Sequence, residues 1–445
     1  MSKFLITFVT VSLLCGCTIS LDEDRYFPDT DWKQYQRVTD AGFDKQGLQK
    51  AKDFNDSLQS ASVLILHEGK ILAHWGDASR RFRATSIRKS LLNSLIGIKV
   101  KQGKLSVSDQ VGEFSIPGIR ELTQTENSAT LEDLLTSSSG IYLPASYESE
   151  TWTKRKPDRG SHLPGENWYY NNWDFNALGA IYETEADSSL NYDFHKYIAE
   201  QIGMQDFRPE IDFKYFAEPG VSKIPAYLFK MSTRDLARFG LLYLRNGEWE
   251  GEQLVPEKWV KKSTSTIKEA WEDTGYGYLW WTTTLDDGSQ VFYANGSGVQ
   301  GIYVVPAEEL VMVFRANTFF GPDIDDQSAL ELLQLIADSK KMPPKTDPAL
   351  SGMRWTTSKS PSESVNFHAK AWTGSYQNNI ARRINIVPYQ DKLLLKTGIA
   401  DFLMHPTSDS TAWVESLEVE TRLDYSGAGK KGKSILNKDS LTIYK

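Results

Sequence analysis

The segment from Ser86 to Gln102 constrains the fold more than any other. It is rich in Leu and Ile, and Leu91, Leu92, Leu95, Ile96 and Ile98 spread over most of a helical circumference instead of lining one stripe. A helix that is apolar on nearly every side belongs inside a protein, so the spacing predicts a buried helix with Gly103 as its C-terminal stop. The material to enclose it is present. The chain has 445 residues, 40% hydrophobic and 24% charged, which fits a globular protein of two or three domains and excludes disordered, collagen-like and polytopic membrane classes.

Ser86-Ile87-Arg88-Lys89 opens this helix. A Ser and a Lys at i and i+3 share one helical face. The positive end of the helix dipole favours a developing alkoxide at Ser86. Partial desolvation lowers the pKa of Lys89, so a neutral amine could accept the Ser proton. The plain alternative is a surface Ser capping a helix. The spacing alone is common, since Ser265-Thr266-Ile267-Lys268 also fits it. That second copy sits in the polar stretch Lys261–Glu269 with no apolar helix after it, and reads as solvated surface.

Other chemistries find no motif. Gly-x-Ser-x-Gly, His-Glu-x-x-His and the P-loop are absent, and the six His are scattered. A Ser-His-Asp triad is not excluded by counting, but nothing points to it. No metal site and no cofactor are expected. The formal charge of −8, with no basic stripe, argues against a nucleic-acid partner. The two cysteines, Cys15 and Cys17, lie close to the N-terminus, which excludes a disulfide framework or Cys-based zinc site elsewhere.

Residues 1–17 read MSKFLITFVTVSLLCGC, with Lys3 before an apolar run from Phe4 to Leu14. The run is shorter than the roughly 20 residues that span a bilayer and reads as a signal peptide. Its end, Leu14-Cys15-Gly16-Cys17, resembles the bacterial lipobox. That resemblance implies that residues 1–16 are removed, that Cys17 becomes the acylated first residue, and that the mature chain is lipid-anchored at the periplasmic face of the envelope.

Residues 17–44 are polar and aromatic without clear period and are expected to form a tether. Ser62–His67 and Lys70–Trp75, joined by Glu68-Gly69, read as a hairpin. Ala129–Thr136, Trp173–Glu183, Ser232–Asn246 and Gln327–Ser339 read as helices. Tyr276–Thr283, Val291–Ala294, Gly301–Pro306 and Leu310–Asn317 read as strands. Residues 341–366, rich in Pro, Ser, Lys and Thr, are expected to be a linker, and 367–445 a small β domain of short strands and turns. Arg80-Arg81-Phe82-Arg83 reads as a solvated basic loop, with steering of an acidic substrate as the alternative. Trp152, Trp168, Trp173, Trp280 and Trp281 either line an aromatic pocket or belong to the core, and His67 and His74 read as structural.

A second motif follows the Ser-x-x-Lys helix: Pro164-Gly165, then Tyr170-Asn171-Asn172, then Leu178-Gly179. With it the region 45–340 resembles the serine β-lactamase and penicillin-binding superfamily, in the branch of class C β-lactamases, β-lactamase-like esterases and 6-aminohexanoate-dimer hydrolase. Leu134–Gly140, Ser232–Gly240 and Tyr276–Trp281 carry the same resemblance. It implies an α+β fold: an antiparallel sheet between helices, joined to a helical lobe, with the site at their junction and the small all-β domain appended. It implies Ser86 as nucleophile, Lys89 and Tyr170 as general base and proton relay, and Asn172 as a group orienting substrate. It places the family's site-edge strand at Ala294-Asn295-Gly296-Ser297, not at the literal Lys396-Thr397-Gly398 beyond the linker. Gly296 and Ser297 then flank the oxyanion position, where the N–H of Ser297 joins that of Ser86. Ala294 stands where the family carries Lys or His, so the cation that usually holds a substrate carboxylate is missing. The expected activity is hydrolysis of a small-molecule ester or amide. The rivals are a D-aminopeptidase, DD-peptidase or weak β-lactamase, and a non-catalytic envelope-binding protein. The oligomeric state is open.

Overall fold

The computed structural model describes residues 25–118, 121–319, 321–322, 324–355, 372–378, 384–408, 410–417, 419–424, 433–436 and 440–444. The fold is α+β. Its centre is a ten-stranded sheet in the order Leu350–Met353, Trp32–Tyr35, Lys70–Gly76, Ser62–His67, Leu310–Arg315, Gln300–Val305, Gln290–Gly296, Trp281–Thr284, Thr274–Tyr276 and Lys268–Trp271. Neighbours run antiparallel, except that Trp32–Tyr35 lies parallel to Lys70–Gly76. The expected hairpin forms as read. Glu68 and Gly69, with φ of 51° and 79°, supply the left-handed pair that a two-residue hairpin turn needs.

The helix Ile87–Lys101 is enclosed as its composition demands, with every residue from Ile87 to Lys99 buried. Its serine and asparagine side chains are bonded, because an unpaired polar group there would cost on the order of 1–3 kcal/mol. Asn93 donates to Ser263 Oγ (3.0 Å) and to the Tyr278 carbonyl (2.9 Å), and accepts from the Tyr243 hydroxyl (2.6 Å). Ser90 donates to the Leu279 carbonyl at 2.7 Å. These bonds fix the helix in register against the loop between Thr274–Tyr276 and Trp281–Thr284. They also explain why Tyr276–Thr283, expected as one strand, is two. Gly277 and Trp280 close a turn (2.8 Å), and the Tyr278 and Leu279 carbonyls serve the helix.

On one face of the sheet, Thr233–Leu244 lies close enough at Gly240 that an added Cβ would come within 2.7 Å of Val311 Cγ1 and 2.9 Å of Ile302 Cγ2. Gln327–Asp338 packs with Lys45–Leu58. Helices Leu131–Leu135 and Asn172–Ala186 form the lobe beside the buried helix, and lobe and sheet share one continuous apolar core.

Two segments expected outside the catalytic unit belong to its sheet. Within the expected tether 17–44, Trp32–Tyr35 is a strand, and Trp32 is wholly buried against Trp355 and Arg238. Within the expected linker 341–366, Leu350–Met353 pairs with it from Trp32↔Met353 to Tyr35↔Leu350. Two four-residue strands far apart in the chain carry too little alternation to be read before they meet. Lys345 and Arg354 tie the same segments to Asp40 (2.8 Å) and Asp31 (2.9 Å).

The C-terminal region is a closed eight-stranded barrel around Trp372, Ile386, Leu393, Phe402, Met404 and Val414. The basic run Arg80–Arg83 holds it to the unit built on the ten-stranded sheet, and is neither a solvated loop nor a steering patch. Arg81–Arg83 is a strand paired with Ala226–Ser232. Arg81 is buried between Asp212 and Glu415, and Arg80 donates to the Ser416 carbonyl (2.9 Å). The carboxylates come from distant parts of the chain, so sequence inspection saw only the unpaired half.

Candidate active site

Ser86 is the N-cap of the buried helix, so its own N–H lies ahead of the intrahelical ladder and is available to a bound group. Thr85 just before it has φ of +46°, a strained value for a β-branched residue. One turn on, Lys89 Nζ lies 2.9 Å from Ser86 Oγ and 2.7 Å from Tyr170 Oη. The amine thus bridges the two hydroxyls. Burial drives the Lys89 pKa well below its ordinary value, and the neighbouring Arg88 charge pushes the same way against a weaker opposing effect of Glu148. Burial also pushes the Tyr170 phenol up to about 12, despite lowering by Ser86 and Arg88. Both shifts favour an uncharged amine beside a protonated phenol. With its lone pair turned to Ser86, such an amine can receive the Ser proton while Tyr170 stays able to donate one.

Tyr170 is held by its backbone neighbours. Ser137 Oγ donates to the Tyr169 carbonyl (2.7 Å) and accepts from the Asn171 N–H (2.9 Å). Asn171 caps the helix Asn172–Ala186 by accepting from the Trp173 N–H, and donates to the Ile141 carbonyl (2.7 Å). The Leu134–Gly140 stretch therefore clamps the tyrosine segment from both sides. Asn171, which the Tyr-x-Asn reading passes over, is a positioning residue.

The strand Gln290–Gly296 closes the other side. A Cβ on Gly296 would collide with Thr85 Oγ1 and lie 2.7 Å from the Ala84 carbonyl oxygen and 3.0 Å from the Ser86 nitrogen, so only glycine lets the strand approach the nucleophile turn. Strand alternation puts Ala294 on the same face as Gly296, while Tyr293 and Asn295 turn toward an open cavity.

That cavity, of about 280 Å³, reaches Ser86, Tyr170, Gly296 and Ser297. Asn172 is not among the residues that line it, and Asn295 is the amide that does. Its walls are aromatic: Trp152, Trp271, Trp281, Tyr293 and Tyr303. Trp271 stacks on Trp281 at 5.0 Å and 13°, and Tyr170 stacks on the same indole at 5.4 Å and 22°. Trp168 packs behind this wall, whereas Trp173 and Trp280 are buried core. Trp271 and Asp326 were missed in the sequence, since neither sits near a motif. His67 and His74 are structural, packed on Phe43 and Trp355.

Neither decoy motif reaches the cavity. Ser265 donates to the Lys262 carbonyl (2.9 Å) and Lys268 to the Gly165 carbonyl (2.6 Å). Lys396 lies in a barrel strand opposite Asn385 and Asp401. The described residues contain no cluster of His, Cys, Asp and Glu that could hold a metal, and no helix among them is long and apolar enough to cross a membrane.

A mixed sheet with a helical lobe, and a Ser–Lys–Tyr group at their junction, define the class of active-site serine hydrolases with a β-lactamase-like fold. The family described as Beta-lactamase matches residues 47–336, so the chain belongs to that family and is a serine hydrolase of its superfamily. An uncharacterised protein of Alkalihalophilus pseudofirmus is 25% identical over 305 residues, covering 59% of this chain and 85% of the relative. Among solved structures, a Bacillus anthracis protein assigned as a 6-aminohexanoate-dimer hydrolase aligns with a TM-score of 0.52 at 19% identity, over 70% of this chain and 86% of its own. The octameric penicillin-binding protein homologue from Pyrococcus abyssi aligns with a TM-score of 0.50 at 19% identity, over 83% of this chain and 92% of its own. At such identities these structures share the fold.

Proposed function

We propose that the protein hydrolyses a small ester or amide through an acyl-enzyme on Ser86. The observation that carries this reading is the Lys89 amine, buried and placed between Ser86 Oγ and Tyr170 Oη. The amine removes the Ser86 proton as Oγ attacks the substrate carbonyl carbon. The carbonyl π electrons move to oxygen, and the backbone N–H groups of Ser86 and Ser297 stabilise the oxyanion. Collapse expels the leaving group, which takes a proton from Tyr170, itself reprotonated from Lys89. Water then attacks the acyl-enzyme by the same route and frees Ser86. Ala294 leaves the site without the lysine or histidine that would hold a substrate carboxylate, which favours esters and small amides over β-lactams and D-Ala peptides.

A fluorophosphonate should label the wild type and fail on Ser86→Ala; equal labelling of that variant would overturn the assignment. We further propose a periplasmic, lipid-anchored protein acylated at Cys17. This rests on the sequence, as residues 1–24 lie outside the described residues. Palmitate labelling lost in Cys17→Ala is the expected result, and labelling retained there would remove the anchor.

A further inference from the structure

On the hydrolase reading the N–H groups of Ser86 and Ser297 hold the oxyanion, and each lies close to a strained residue. Thr85 precedes Ser86 at φ of +46°, and Val299 follows Gly298 at φ of +52°. Both are β-branched, for which a left-handed backbone is an outlier, and such strain persists only where the surroundings hold it.

One buried pair, Arg315 and Gln300, reaches both turns. The two stand opposite each other on neighbouring strands and are wholly buried. Arg315 Nε donates to Gln300 Oε1 (2.6 Å), Nη1 to the Met231 carbonyl (2.9 Å) and Nη2 to the Arg83 carbonyl (3.1 Å). Gln300 Nε2 in turn donates to the Gly298 carbonyl (2.7 Å) and the Ala316 carbonyl (3.0 Å). The Gly298 carbonyl belongs to the peptide that enters Val299, and the Val299 carbonyl accepts from the Ala316 N–H at 3.1 Å. Val299 is therefore gripped from both sides. On the other turn, Arg83 ends the strand Arg81–Arg83, two residues ahead of Thr85.

A guanidinium is a costly way to fill this space. Its three hydrogen-bond partners are neutral oxygens, none of them a carboxylate, and burial pulls its pKa down to about 9. An apolar side chain would avoid that cost. What an apolar side chain lacks is a rigid planar fork that spans several acceptors at fixed angles.

Resting on the hydrolase reading, we propose that Arg315 and Gln300 are positioning residues that hold the Ser86 and Ser297 N–H groups at the spacing the oxyanion needs. Neither is among the residues that line the cavity, so they act through the two turns and not on the substrate. Their effect falls on the transition state, where the N–H groups must meet the developing charge.

The full chain is assayed on 4-nitrophenyl butyrate, with kcat expressed per site titrated by a fluorophosphonate. Arg315→Met cuts the tie to the Arg83 carbonyl. Gln300→Glu keeps an acceptor for Arg315 Nε and pairs its charge, so it should fold, yet it turns a carboxylate oxygen toward the Gly298 and Ala316 carbonyls. Each variant should lower kcat about 10–100-fold while KM stays within about threefold. A merely structural pair would reduce the number of titratable sites and leave kcat per site unchanged. That outcome, or a loss carried by KM, overturns the proposal. If Arg315→Met yields no titratable sites, Gln300→Glu decides alone. If the wild type turns over no ester, or Ser86→Ala turns it over equally, the hydrolase reading falls instead. The pair is then decided by amide hydrogen exchange in Gln300→Glu against the wild type. Faster exchange confined to residues 84–90 and 295–300 supports its hold on both turns; unchanged exchange, or a rise spread over the whole sheet, ends it.

Discussion

The chain contains the same four-residue pattern twice in chemically opposite settings. Ser86-x-x-Lys89 begins a helix buried from Ile87 to Lys99, whereas Ser265-x-x-Lys268 straddles a loop and the outermost strand of the sheet. In the first, the lysine nitrogen meets the serine hydroxyl and a tyrosine within 2.9 Å. In the second, serine and lysine each donate to a different backbone carbonyl. Spacing is therefore not what makes a nucleophile. A helix start puts the two side chains on one face, and burial lowers the pKa of the lysine; the second copy has neither.

The comparison is broken most directly at the serines. Ser86→Ala should lose about four orders of magnitude in kcat on a nitrophenyl ester, while Ser265→Ala should be indistinguishable from wild type in the same assay. The lysines follow. Lys89→Ala should cost about 10²–10⁴-fold in kcat, the range of a positioned general base. Lys268→Ala releases one bond to the Gly165 carbonyl and should move kcat/KM by no more than about threefold.

Gly296→Ala asks whether the approach of the strand matters as much as the base. Its methyl would press on Thr85 and the Ser86 nitrogen, so kcat should fall about 10²-fold and the unfolding free energy by about 1–3 kcal/mol. Activity without a loss of stability, or the reverse, would separate the oxyanion position from packing.

The smallest effect sharpens the electrostatics. On the proposed mechanism catalysis needs Lys89 uncharged, and its folded pKa is lowered, so kcat/KM should rise with pH through that depressed value and then level, since the Tyr170 phenol persists to about pH 12. Arg88→Met removes a like charge, raises the Lys89 pKa and should move the rising limb to higher pH by less than one unit, burial being the larger cause. A limb moved to lower pH would contradict the assignment of the base.

Much of the central architecture was legible because its signals are local. The buried helix, the Ser62–Trp75 hairpin and the helix Thr233–Leu244 each announce themselves by apolar spacing within one element. Ser86 and Lys89 were legible for the same reason, and Tyr170 followed from its Pro-Gly and Leu-Gly context. Trp32–Tyr35 and Leu350–Met353 were not, because each exists only as the partner of the other. Arg81 was misread because Asp212 and Glu415, which neutralise it, are far away in the chain.

What the sequence determined by itself is the helix and its Ser-x-x-Lys face. These depend on the 3.6-residue period and on residue identity, which are written along the chain. What only the tertiary structure decided is which copy of the motif is desolvated, that Asn295 and not Asn172 faces the cavity, and that Trp271 and Asp326 complete its walls. Desolvation and field are sums over neighbours brought from remote positions, and no spacing within four residues encodes them.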